Sequence, residues 1–171
     1  MKLTIVVGNP KPMSRTRMVA EAVAKACTAG VDDIDEVVVD LADLAPRLFD
    51  WGAEDVAALN DRLAGSDLAV IASPTFKATY TGLLKAFLDR YGNRGLAGVT
   101  AVPVMMGASA VHSLAPELGL RPLLVELGAS VPTRSLYVTE AELEDLDAAV
   151  GSWAASEVPI LTRTLGLGAA V

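Results

Sequence analysis

A chain of 171 residues that is 52% apolar and 20% charged is long enough for one domain with a full-sized core, and too apolar to be disordered. Its 21 acidic against 14 basic residues leave a net charge of −7, which argues against a broad nucleic-acid-binding surface. One cysteine precludes an internal disulfide, and one histidine precludes a conventional zinc cluster.

The chain opens with Leu3-Thr4-Ile5-Val6-Val7, a β-branched run that reads as a buried strand ending at Gly8. Asn9-Pro10-Lys11-Pro12-Met13 turns the chain, and Ser14-Arg15-Thr16 opens a helical pattern over residues 14–28. A strand, a tight turn and a helix N-terminus bring free backbone N–H groups to one place. Ser14 and Thr16 add hydroxyls there, and Arg15 adds a charged fork suited to phosphate oxygens.

Neither of the two common phosphate loops accounts for this stretch. The pattern G-x-x-x-x-G-K-[ST] needs a glycine-rich segment after Gly8, and G-x-G-x-x-G would need glycine at Pro10 and Met13. Asp40 ends the next strand, where a ribose-binding acid would sit, but without loop glycines a pyrophosphate cannot approach the backbone. The stretch reads instead as a cradle for a single terminal phosphate, or as a plain turn capped by Ser14. Lys11, Arg15 and Arg17 on an otherwise acidic protein point to a small anionic ligand. Only five residues separate Lys2 from Gly8, too few for a signal-peptide core. The apolar tract 99–111 is interrupted by Pro103 and Gly107 and is too short for a membrane span. A cytoplasmic protein is expected.

Glu36-Val37-Val38-Val39 forms the second strand, and residues 45–52 a loop whose Phe49 and Trp51 are expected to close the core edge or meet another subunit. A helix over 53–64 ends at Gly65. Residues 68–72 are continuously apolar, as a central parallel strand requires, and deliver Ser73-Pro74-Thr75-Phe76-Lys77 at their carboxyl end. A helical pattern through Leu83, Leu84, Phe87 and Leu88 ends near Tyr91-Gly92. The fourth strand, 99–105, feeds Met106-Gly107-Ala108-Ser109, and the spacing predicts one helix over 113–127. A short strand lies within 131–138, and a last helix begins near Glu140 to Glu142, bent or broken at Pro159. Cys27 falls on the apolar side of the first helix, as a structural thiol would. Strands alternating with helices predict an α/β fold with a parallel sheet covered on both faces. In such sheets ligands bind beyond the carboxyl ends of the strands, where the loops after strands one, three and four all end.

Gly8-Asn9-Pro10…Ser14-Arg15-Thr16, Ser73-Pro74-Thr75-Phe76-Lys77-Ala78-Thr79-Tyr80-Thr81-Gly82-Leu83-Leu84-Lys85 and Gly107-Ala108-Ser109…His112 together resemble the NADPH-dependent FMN reductases. The likeness continues through Leu120-Arg121-Pro122-Leu123 and covers most of residues 1–138. The middle motif is similar to the branch that supplies reduced flavin to alkanesulfonate-type monooxygenases, with Phe76 where relatives often carry tyrosine.

The resemblance implies a single flavodoxin-like domain over 1–171, a three-layer sandwich around a five-stranded parallel sheet in the order 2-1-3-4-5. It implies FMN held by three loops. Gly8, Ser14, Arg15 and Thr16 would hold the phosphate. Pro74, Thr75, Phe76 and Lys77 would line the ribityl chain and ring, and Gly107, Ala108, Ser109 and His112 would border the ring from the other side. His112, where a helix starts, equally reads as a local cap. NADPH or NADH would be the hydride donor, a flavin-dependent monooxygenase the partner, and a homodimer or homotetramer would form through the helix starting near Tyr80.

Hydride transfer to flavin N5 needs stacking and orientation more than a protein acid or base, so neither a catalytic side chain nor a metal is expected. Tyr80 reads either as a modulator of flavin retention, at an irregular first turn of π type, or as a residue that only fills the subunit interface. A flavin-retaining quinone or azo reductase and a non-catalytic flavodoxin-type carrier are the alternatives.

Overall fold

Five apolar runs become strands: β1 (Lys2–Val7), β2 (Asp35–Asp40), β3 (Leu68–Pro74), β4 (Thr100–Gly107) and β5 (Leu136–Thr139) in a computed structural model that describes residues 1–167. They pair in parallel in the order β2-β1-β3-β4-β5. Every residue of β3 is buried, because helices cover both faces and leave no solvent side to alternate with. On one face, α1 (Arg15–Cys27) and α5 (Leu146–Thr164) pack Val19, Val23, Trp153 and Leu161 against Leu3, Ile5 and Val70. On the other, α2 (Glu54–Ala64), α3 (Gly82–Leu88) and α4 (Arg121–Glu126) pack Val56, Leu63, Phe87 and Leu124 against Val6, Ile71 and Met105. The register aligns Val7 with Ala72 and Pro74 with Met106, so the loops after β1, β3 and β4 emerge side by side. Cys27, the last residue of α1, is buried in the core, and burial pushes its thiol pKa up to about 12, as suits an inert structural thiol. Among the described residues no helix is long and apolar enough to cross a membrane.

Four local expectations change, wholly or in part, each for a definable reason. The helix predicted over 113–127 is broken into a 3-10 turn at Ala110–His112, a π-turn at Pro116–Leu120 and the short α4. Pro122 has no N–H to continue a four-residue ladder, and the Arg121 N–H instead reaches back five residues to the Pro116 carbonyl. The π-type turn is therefore not at Tyr80, where Thr81 caps a regular α3. It lies opposite: a Cβ on Gly119 would stand 2.9 Å from Thr79 Oγ1 and 3.6 Å from the Tyr80 ring.

Helix α5 runs through Pro159 without ending. Pro159 and Ala155 are both exposed, so the carbonyl that loses its donor lies on the side of the helix that water reaches. In the 45–52 segment Leu48, 1% exposed, closes the core edge, while Phe49 and Trp51 are 79% and 68% exposed. Arg90 holds that loop by donating to the carbonyls of Leu48 and Asp50, and its guanidinium lies 5.3 Å from the Trp51 ring centroid.

A buried carboxylate anchors α5 to the segment entering β5. Glu157 accepts from the Arg134 N–H at 2.9 Å, from Arg134 Nε at 2.8 Å and from Ser156 Oγ at 2.9 Å. Burial opposes the charge, but these hydrogen bonds outweigh it and hold the carboxyl below its ordinary value. Glu157→Gln is expected to cost about 1–3 kcal/mol at neutral pH. A lowered folded pKa gives stability that is present above the unfolded value near 4.5 and lost as pH falls through the folded value. The parent should therefore lose its advantage over the variant in acid, and urea unfolding at neutral pH and at successively lower pH measures this.

Candidate functional site

The three loops and the end of β5 border one cleft of about 630 Å³. The first loop owes its shape to local hydrogen bonds. Asn9 Oδ1 accepts from the Lys11 N–H, an Asx turn, while Asn9 Nδ2 donates to Thr16 Oγ1 at 2.9 Å. Met13 takes a left-handed conformation, φ 50°, and its N–H donates to Asp40 Oδ2 at 3.2 Å. Asp40 also accepts from the Ala42 N–H, so this buried carboxylate holds loops together and is not presented to a ribose. Ser14 is the N-cap of α1, its Oγ accepting from the Arg17 N–H. The N–H groups of Arg15 and Thr16, the first two helical residues, have no intrahelical acceptor, and both residues line the cleft. The Arg15 guanidinium, 60% exposed, lies 2.8 Å from Glu140.

Thr81 pins the second loop to the first. Its Oγ1 donates to the Gly8 carbonyl at 2.6 Å and accepts the Leu84 N–H at 3.1 Å, capping α3. Its own N–H donates to Ser73 Oγ at 3.0 Å, and all these groups are buried. Lys77 and Ala78 both have positive φ, at 53° and 68°, between the paired Phe76 and Thr79. That is a two-residue primed turn, which reverses the chain just after the cleft-lining Phe76. The Thr75 N–H donates to the Met106 carbonyl at 2.7 Å and so joins the second loop to the third. Thr75 Oγ1 is buried and has no hydrogen-bond partner among the described residues.

Ser14, Arg15 and Thr16 thus meet Pro74, Thr75, Phe76, Gly107 and Ala108 in one cleft. The other expected residues stand apart. Gly8 lies beneath the cleft, where a Cβ would come within 2.6 Å of Leu84 Cβ, so its smallness lets α3 approach β1. Lys77 sits at the tip of its turn and does not border the cleft. Ser109 gives its carbonyl to Tyr137 Oη at 3.0 Å. A Cβ on Gly107 would run into that same Tyr137 hydroxyl, which already explains the glycine without any ligand. His112 opens on a separate hollow of about 430 Å³ with Thr79, Leu114 and Leu118, and Tyr80 is half-buried against Gly119. Two residues of consequence lie outside the expected set. Thr81 carries a legible signal, a threonine directly before an apolar helical run. Glu140 carries none, since folding alone brings it to Arg15, 125 residues away.

The donor set suits a phosphate monoester carrying a flat apolar group. Two hydroxyls, a guanidinium and a helix N-terminus gather at one end. Pro74, Phe76, Met106 and Ala108 supply apolar walls, and the buried Thr75 hydroxyl beside them has no hydrogen-bond partner among the described residues. These residues fit FMN.

A family model described as NADPH-dependent FMN reductase matches residues 1–142. FMN reductase (NADPH) of Escherichia coli K12 is 28% identical over 148 residues, spanning 85% of this chain and 76% of that protein. The NADH-dependent FMN reductase SfnF of Pseudomonas putida is 28% identical over 144 residues, 81% of this chain and 77% of that one. Among solved structures, the apo form of the NADH:FMN oxidoreductase EMOB superposes with a TM-score of 0.76 at 28% identity, covering 91% of this chain and 89% of that one. With a matched span that takes in all three loops and Glu140, this chain belongs to the NADPH-dependent FMN reductase family, enzymes that act on FMN with a nicotinamide dinucleotide.

Proposed function

We propose that the protein reduces FMN at the expense of NADPH or NADH in the cytoplasm, holds the flavin in the cleft described above, and releases it reduced to a flavin-dependent monooxygenase. The observation that carries this reading is the meeting of the α1 N-terminal residues Ser14, Arg15 and Thr16 with Pro74, Thr75 and Phe76 in one cleft. A bound isoalloxazine supplies the hydride chemistry. The chain supplies binding and orientation. Ser14, Thr16, Arg15 and the first N–H groups of α1 grip the phosphate, and Thr75 donates its hydroxyl to a polar atom of the flavin. Pro74, Met106 and Ala108 exclude water from one side. Phe76, 51% exposed, stands at the rim beside the open approach for a nicotinamide. Relatives named for NADPH and for NADH match about equally well, so either donor is compatible with the reading.

Self-association belongs to the same proposal. Val111, Leu114 and Leu118 are 83%, 63% and 75% exposed and share the surface next to Tyr80, an apolar face that a second copy would cover. Visible spectroscopy of the purified protein, with NADPH and NADH oxidation followed with and without added FMN, tests the function. Oxidation that needs added FMN is expected. A strongly yellow protein that needs none would instead favour a flavin-retaining quinone or azo reductase. Light scattering should give a mass above the 17.7 kDa of one chain.

A further inference from the structure

Three cations stand at the first loop, Lys11, Arg15 and Arg17, and two of them already have carboxylate partners. Arg17 lies 2.7 Å from Glu21, one helical turn away, and 3.8 Å from the buried Asp40. Those contacts belong to the framework, since Asp40 also fastens the Met13 and Ala42 backbone. The Arg15–Glu140 pair is different. It joins residues 125 apart, both line the cleft, and the two side chains are 60% and 45% exposed. Glu140 is set in place by its backbone, whose N–H donates to the Gly107 carbonyl at 2.9 Å. The neighbouring Glu142 turns away to accept from the N–H and hydroxyl of Thr139, so Glu140 is the carboxylate that meets Arg15.

An exposed pair of this kind is weakly held and open to exchange. A phosphate offers Arg15 a bidentate partner of higher charge, but its arrival either displaces the Glu140 carboxylate or sets two like charges side by side. An unphosphorylated ligand meets neither cost. We propose that Glu140 competes with the ligand phosphate for Arg15 and so keeps FMN a dissociable substrate rather than a resident group. The proposal rests on reading the cleft as an FMN site.

The test is equilibrium titration of FMN and of riboflavin, by flavin fluorescence, against the parent protein and its Glu140→Gln variant at one fixed ionic strength. Glutamine keeps the size of the side chain and the backbone bond to Gly107 while removing the charge. FMN should bind the variant about three- to fivefold more tightly, with riboflavin unchanged, and added salt should narrow the gap. A variant that binds FMN no better, or more weakly because Glu140 was holding Arg15 in position, overturns the proposal. Equal tightening of FMN and riboflavin overturns it too, since the phosphate would then not be involved. Should the parent protein bind neither flavin, the reading of the cleft itself fails. Parent binding of FMN with no change in the variant defeats only the role of Glu140.

Discussion

Thr81→Val is expected to lower the free energy of unfolding by about 2–4 kcal/mol and to weaken FMN and riboflavin binding alike. Valine matches the shape of threonine, so no cavity opens, and the loss isolates the hydroxyl. Two bonds go at once. The Leu84 N–H loses its cap, at a cost of about 1 kcal/mol, and the buried Gly8 carbonyl loses the donor 2.6 Å away, for about 1–3 kcal/mol more. Because that hydroxyl ties the loop after β1 to the start of α3, its removal loosens both walls of the cleft. Thr81→Ser keeps the donor and acceptor and should recover most of the loss. Denaturant unfolding of the three proteins checks the energetics, and a valine variant as stable as the parent would show that the junction does not hold the loops.

The strands are legible in the sequence because burial on both faces writes an uninterrupted apolar run, as in Leu68-Ala69-Val70-Ile71-Ala72. The first loop of the cleft is legible for a related reason: its parts, from Asn9 to Thr16, are contiguous, and local hydrogen bonds among Asn9, Lys11, Ser14, Thr16 and Arg17 shape it. What is not legible depends on distant contacts. Gly107 suggests room for a ring, yet the group that needs the room is the Tyr137 hydroxyl, delivered by β5. His112 has the sequence position of a ring neighbour, yet the 3-10 turn at Ala110–His112 carries it to a different hollow. Pro159 reads as a break, yet α5 continues through it on the helix side that faces solvent, an orientation decided by Trp153 and Leu161 packing on the sheet. Phe49 and Trp51 look like core closers by composition, but Leu48 takes that place and Arg90 holds the loop backbone.

Arg15→Ala should separate the phosphate from the rest of the flavin. The side chain is 60% exposed and its one ion pair is a surface pair, so the fold should lose no more than about 1 kcal/mol. Binding stands differently. A charge-assisted hydrogen bond to phosphate contributes about 1.5–3 kcal/mol, which corresponds to roughly ten- to more than hundredfold in FMN affinity. Riboflavin has no phosphate to lose and should be affected far less. That contrast distinguishes Arg15→Ala from Thr81→Val, in which both flavins weaken together because the cleft itself is disturbed. Parallel titrations of FMN and riboflavin, with thermal unfolding to confirm that the variant is folded, decide the matter. Equal losses for the two flavins would remove Arg15 from the phosphate and leave the cradle to Ser14, Thr16 and the N-terminus of α1.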